Sequence, residues 1–215
     1  MKYLELVINS GLFEDISKSD YIYAFDRLKI YGRNYKKGET VFYEGDVIDK
    51  ICIVVSGSVR SEKAYPDGEI HIVELFDEGA FFGLEIAASR TKISAIDYIS
   101  NEDCEIVYIT MQSIEKSTYA AAIKNVLMKK LADDNVIMSH KIEILAERGL
   151  RNRILVYFDI LMNKAGTNEI TVKMNREQMA QFLCVNRSAL SNELNKMKKE
   201  GILGFKKDGF IILKR

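Results

Sequence analysis

From Gln112 to Arg148 the chain runs thirty-seven residues without a glycine or a proline, whereas before that stretch glycine recurs at Gly38, Gly45, Gly57, Gly68 and Gly79. No other feature constrains the fold as much. Turn signals about every 8–12 residues, between short runs rich in Val, Ile, Tyr and Phe, describe an antiparallel barrel or sandwich. Tyr65-Pro66-Asp67-Gly68 supplies proline where a turn wants φ near −65° and glycine where it closes, so a hairpin is expected there. "DCEIVYI" (Asp103–Ile109) reads as the last strand of this part. The uninterrupted stretch that follows reads as one helix, far longer than the average of about 11–12 residues. Leu131, Met138 and Leu145 recur along it every seventh residue, with Leu127 and Ile142 beside them. That spacing suits a two-stranded coiled coil between subunits, so a homodimer is expected.

The remainder, from Gly149, changes texture again. "RNRILVYFDILMNKAG" reads as an amphipathic helix ended by Gly166, "EITVKM" as a short strand, and "ILGFKKDGFIIL" as a hairpin turning at Lys207-Asp208-Gly209. The three textures give segments 1–111, 112–148 and 149–215. Charge divides along the same line. From Gly149 onward there are thirteen Lys and Arg against six Asp and Glu, a net +7; the first 148 residues hold eighteen against twenty-five, a net −7. A basic module on an acidic body points to a polyanion partner at the C-terminal end.

Between the strand and the final hairpin, Asn175–Gly201 reads "NREQMAQFLCVNRSALSNELNKMKKEG". Asn175 with Gln178 three residues on is a capping-box pattern. Ala180 is small enough for two helices to cross closely, Leu183 is apolar, and Asn186 stands where a second helix would be capped. Leu190 and Leu194 form that helix's buried face, and Gly201 closes it in a left-handed position. Two short helices so spaced form a helix-turn-helix, whose second helix enters the major groove of double-stranded DNA N-terminal end first. Its outward residues near that end are Arg187, Ser188, Ser191 and Asn192: arginine can bond guanine, asparagine adenine, and serine is permissive. Thr171, Lys173, Arg176, Lys196, Lys206 and Lys207 are expected at phosphates, where they position without reading sequence. Cys184 falls where such a turn often has glycine because φ must be positive; it sits there at some strain, or the turn differs, and a thiol switch is one reading of it.

In this order, "LF" at Leu12-Phe13, "YKKGETVFYEGD", "IVVSGSVR", "GAFFG", the long helix and the terminal helix-turn-helix with its wing resemble the Crp/Fnr family of bacterial transcription regulators, from about Gly11 to Arg215. The resemblance implies an α+β chain: an N-terminal antiparallel, jelly-roll-like β-roll of the cyclic-nucleotide-binding type, a long dimerisation helix and a C-terminal winged helix-turn-helix. It implies a pseudo-palindromic operator, RNA polymerase as a partner, and an effector that shifts the balance between two dimer arrangements, with a hinge near Glu147–Leu150. It implies a regulator and not an enzyme; a cupin-like enzyme would need several histidines with a carboxylate on adjacent strands, and His71 is the sole histidine in the barrel segment.

Carried over residue by residue, the effector pocket comprises Phe82, Gly83, Leu84, Glu85, Ile93, Ser94 and Ala95, with Met138 and Ser139 on the long helix. Cyclic-AMP-responsive members hold the phosphate with Gly-Glu and, further on, Arg-Ser. Here Leu84 follows Gly83, Glu85 comes one place late, and Ile93 stands in the arginine's place. A buried phosphate without that partner would cost on the order of 3–5 kcal/mol, so the effector is expected to be a small molecule other than cyclic AMP. A regulator that needs no effector, or is controlled by a thiol, is the alternative. On the reading helix, the family's Glu and Arg places are taken by Ser188 and Asn192 while Arg187 is kept, so a different half-site is expected. An iron–sulfur cluster is not expected, because the first fifty residues lack cysteine and Cys52, Cys104 and Cys184 form no cluster spacing. Neither haem nor a metal is expected from His71 and His140, which are far apart. No apolar run exceeds five residues, against about 20 for a membrane helix, and the N-terminus lacks a secretory apolar core, so a cytoplasmic protein with no membrane partner is expected.

Overall fold

The computed structural model describes residues 2–214, which fall into two compact units: 2–68 with 73–134, and 69–72 with 135–214. The first opens with helices α1 (Leu4–Asn9) and α2 (Tyr21–Arg27). Eight strands follow: β1 (Tyr31–Tyr35), β2 (Thr40–Phe42), β3 (Lys50–Ser56), β4 (Val59–Ala64), β5 (Ile70–Phe76, of which 73–76 belong to this unit), β6 (Phe81–Phe82), β7 (Asp97–Ser100) and β8 (Cys104–Thr110), with the short helix α3 (Leu84–Ala87) between β6 and β7. They form two four-stranded sheets, ordered β1-β8-β3-β6 and β2-β7-β4-β5. β8 runs antiparallel to β1 and β3, β3 to β6, and β7 to β2 and β4. The antiparallel architecture expected from the glycine spacing, and the β-roll implied by the resemblance, are therefore present. The turn after Pro66 closes as its residues dictate, Gly68 donating its N–H to the Tyr65 carbonyl at 2.9 Å with φ +85°. Gly57 is a tight bend: φ is +75°, and a Cβ there would meet the Asp103 carbonyl oxygen at 2.4 Å.

Two apolar clusters hold this unit. One joins Val54, Phe76, Phe82, Ile86, Tyr98 and Tyr108, together with Phe42, between the sheets. The other packs Leu12, Phe13, Ala24 and Leu28 of the N-terminal segment onto Ile51, Ile53, Val107 and Ile109, with Ile123 and Leu127 from the helical stretch after β8.

That stretch is not one helix. It divides into α4 (Met111–Glu115) and α5 (Ala120–Ala146). The single helix expected over Gln112–Arg148 is interrupted because Ser117 folds its side chain onto the backbone: its Oγ accepts the Tyr119 N–H at 3.1 Å, while its own N–H goes to the Ile114 carbonyl. Serine offers the backbone this alternative to helix, so neither glycine nor proline is needed for the break. A second correction concerns which stripe of α5 is free. Leu127 is 3% exposed, and Leu131 is half-buried against the same core. The exposed heptad stripe is Ala121, Asn125, Met128, Ala132, Asn135, Ser139, Ile142 and Ala146, alternating steps of four and three.

The second unit comprises the end of α5, then α6 (Leu150–Ala165), β9 (Glu169–Thr171), α7 (Arg176–Phe182), α8 (Arg187–Lys199), β10 (Leu203–Lys206) and β11 (Gly209–Ile212). Its sheet runs β10-β11-β9, antiparallel throughout. One core joins Ile154, Phe158, Met179, Ala180, Leu190, Leu194, Met197 and Phe210.

Candidate nucleic-acid interface and effector pocket

The helix pair α7–α8 is built by the local chemistry its residues announce. Asn175 Oδ1 accepts the Gln178 N–H at 2.9 Å and Gln178 Oε1 accepts the Asn175 N–H at 3.0 Å, a complete capping box. Ala180 and Leu183 are buried at the crossing, and Leu190, Leu194 and Met197 turn the inner face of α8 into the core. Asn186 occupies the N-cap position of α8, but its side chain makes no capping bond.

Both helices end in the same way. At α8, Ile202 N–H reaches the Met197 carbonyl and Gly201 N–H the Lys198 carbonyl, with Gly201 at φ +72°. At α7, Val185 N–H reaches the Ala180 carbonyl and Cys184 N–H the Gln181 carbonyl, with Cys184 at φ +54°. These are two Schellman motifs, one closed by glycine and one by cysteine, whose Cβ crowds the backbone in that conformation. The Cys184→Gly variant is therefore expected to be more stable by about 1 kcal/mol. Urea unfolding checks this as a raised midpoint at unchanged slope. The carbonyls that the motif at α7 leaves over are met by cations: Lys141 Nζ donates to the Phe182 carbonyl, and Arg153 Nη1 to the Leu183 carbonyl at 3.1 Å. Arg153 also donates to the Glu147 carbonyl at 3.2 Å, beside Gly149, the φ +88° residue that precedes α6.

The outward face of α8 presents Arg187, Ser188 and Asn192 exposed and Ser191 half-buried. The Arg187 guanidinium lies 3.8 Å from Glu177 with both side chains more than half exposed, so it is loosely held. Among the residues expected at phosphates, Thr171, Lys173, Lys196 and Lys207 are exposed. Lys206 is exposed too, but paired with Glu169. Arg176 differs from these. Its guanidinium stands 5.2 Å from the Phe205 ring centroid and 4.8 Å from that of Phe210, half-buried, and burial lowers its pKa; it fastens α7 to the wing. The wing itself turns through Lys207 and Asp208 between the paired Lys206 and Gly209. Gly209 lies so close to β9 that a Cβ would meet the Ile170 carbonyl oxygen at 1.9 Å.

In the β-roll, Gly83 has φ +74° and precedes α3. The side chains around it differ from a phosphate cradle. Phe82 and Leu84 are each 1% exposed and belong to the two cores. Ser94 is buried, and its hydroxyl is spent on the Ile96 carbonyl at 2.6 Å. Ile93 is exposed in a bridge with Val47, and Ala95 is exposed, its carbonyl accepting from Lys63. Glu85, also exposed, accepts the hydroxyl of buried Tyr98, whose pKa is raised by burial and then by that carboxylate. Asp134 of α5 stands near enough that its carboxyl is pushed up, first by burial and then by Glu85. Two carboxyls and an isoleucine where an arginine would be do not fit a cyclic nucleotide phosphate. On α5, Met138 is half-buried, while Ser139 is exposed with its hydroxyl on the Asn135 carbonyl at 2.9 Å. Burial raises the thiols of Cys52 and Cys104, which keeps both protonated. Among the described residues no group of three or more His, Cys, Asp and Glu could hold a metal, and no helix is long and apolar enough to cross a membrane.

Comparison with known proteins agrees with this anatomy. The family model for the cyclic nucleotide-binding domain matches residues 32–117, and that for the Crp-like helix-turn-helix domain matches residues 152–215. The chain is 20% identical to a global nitrogen regulator of Synechococcus elongatus, over 84% of this chain and 85% of that one. It is 23% identical to a CRP-like cAMP-activated global transcriptional regulator of Mycobacterium tuberculosis, over 88% and 86%. Among solved structures, FixK2 from Bradyrhizobium japonicum superposes with a TM-score of 0.70 at 20% identity, covering 87% of this chain and 94% of that one. With the β-roll, the helix α5 and the winged α7–α8 pair in place, the chain belongs to the Crp/Fnr family of DNA-binding transcription regulators.

Proposed function

We propose that the chain acts in the cytoplasm as a homodimer on a pseudo-palindromic operator, each copy laying α8 in a major groove, with RNA polymerase as its partner. The exposed, loosely held Arg187 at the start of α8 carries this reading, with Ser188, Ser191 and Asn192 beside it. Half-sites then lie one helical turn apart, about 34 Å. The dimer seam is the exposed heptad stripe of α5, in which Met128 and Ile142 are 63% and 69% exposed and alternate with small residues that let two helices approach. Asn135 within it would set the register.

The effector we infer is a small molecule other than cyclic AMP, because Ile93 stands in the arginine's place and Glu85, bonded by the Tyr98 hydroxyl, has a second carboxyl, Asp134, near it. A ligand that bears donors or positive charge suits those groups better than an anion.

Selection from random duplexes tests the DNA reading, and light scattering tests the dimer. The purified chain is expected to be a dimer and to enrich an inverted repeat. Ile142→Asp is expected to yield monomers that no longer hold the repeat. A wild-type monomer that binds a single half-site as tightly as the repeat would overturn the proposal.

A further inference from the structure

We propose that Arg151 is the positioning residue of the DNA reader: it ties the first turn of α6 to the recognition helix and keeps the charge of Glu193 off the DNA. This role rests on the reading of α8 as the groove-entering helix. Arg151 is the second residue of α6, two places beyond Gly149. Its Nε donates to Glu193 Oε1, its Nη1 to Glu200 Oε2 at 2.7 Å and its Nη2 to Glu200 Oε1 at 3.1 Å. Glu193 and Glu200 are seven residues apart and so lie on one flank of the helix line, beside the apolar ridge of Leu190, Leu194 and Met197. One planar guanidinium thus grips two carboxylates, bidentate on Glu200, a geometry that an ammonium group cannot reproduce. The guanidinium holds the Glu200 carboxyl below the usual carboxylate range.

Glu193 is the one acidic residue within α8, whose other charged residues are Arg187, Lys196, Lys198 and Lys199. Duplex DNA presents a negative charge about every 1.7 Å. A carboxylate left free at mid-helix would be repelled by phosphates, and it could also accept from a cytosine amino group and so read a base the other side chains do not select. Arg151 removes both effects while touching no DNA. The neighbouring cations act differently. Arg153 and Lys141 bond backbone carbonyls at the end of α7 and the hinge, and so hold position without neutralising a reading-helix charge.

The test is a double-mutant cycle on the full chain, measuring affinity for the selected repeat and for random duplex at several salt concentrations. Arg151→Met is expected to weaken operator binding about tenfold, and Glu193→Gln alone to change it little. The double variant is expected to regain most of the loss, because the stranded carboxylate is gone. A purely structural tether predicts the opposite, since Glu193→Gln does not re-tie the helix; absence of rescue therefore overturns the proposal, as does wild-type affinity in Arg151→Met. Should Arg151→Met fail to fold, Arg151→Gln with and without Glu193→Gln carries the same comparison, since it too removes the charge. A wild-type chain that enriches no sequence would overturn the reading of α8 itself, whereas an enriched repeat with no rescue overturns only the role of Arg151.

Discussion

Replacing Phe82 by alanine is expected to destabilise the protein by about 3–5 kcal/mol. The residue lies in the stretch that identifies the pocket, yet its ring is 1% exposed and forms part of an aromatic stack between the sheets. Tyr98 lies against it at 5.3 Å between centroids with the planes 28° apart, Phe76 at 5.5 Å and Phe42 edge-on at 6.5 Å. Removing the ring deletes its transfer energy and opens a cavity that strands β3 and β7 have little freedom to fill. It also frees Tyr98, whose hydroxyl donates to Glu85. Denaturant unfolding of the full chain gives the result directly. A ring that instead lined an open ligand cavity would be lost at little cost, and the midpoint would hardly move.

Much of this anatomy is legible in the sequence because it is local. Pro66 and Gly68 dictate a turn from their own torsion preferences, and Asn175 with Gln178 caps a helix across three residues. Gly166 and Gly201 stop helices because each can take positive φ at no steric cost. Periodicity says less about α5. It shows that the helix has apolar stripes, but two lie side by side, and only the packed β-roll decides that Leu127 belongs inside while Met128 stays out. The break at Ser117 leaves no mark in the sequence, because serine is compatible with helix until its hydroxyl finds a backbone partner. Arg176 resembles a phosphate ligand because a basic residue at the head of a DNA-binding helix pair usually is one; the rings that claim it come from the wing, about thirty residues later. Arg151 carries no sequence signal at all, since its partners lie 42 and 49 residues away. Local rules find caps and turns; partners across the fold emerge only from the packing.

Arg187→Ala is expected to cost about 1–3 kcal/mol of discrimination at one base pair of each half-site, a loss of roughly five- to 150-fold in preference. Arg187 is the first residue of α8, one turn ahead of the buried Leu190, and its side chain is exposed there. The guanidinium there is held by a 3.8 Å contact with exposed Glu177, which an approaching guanine can displace at small cost because surface pairs of this kind contribute little. A planar fork then meets guanine O6 and N7 together, a match that alanine abolishes and lysine keeps only as a point charge. Lys196→Ala is the control: a phosphate contact should weaken every sequence alike and flatten the salt dependence by about one counterion. Competition binding with half-sites varied one base pair at a time separates the two patterns. Equal weakening on all variants by Arg187→Ala would reassign the residue to the backbone and move base reading to Ser188, Ser191 and Asn192.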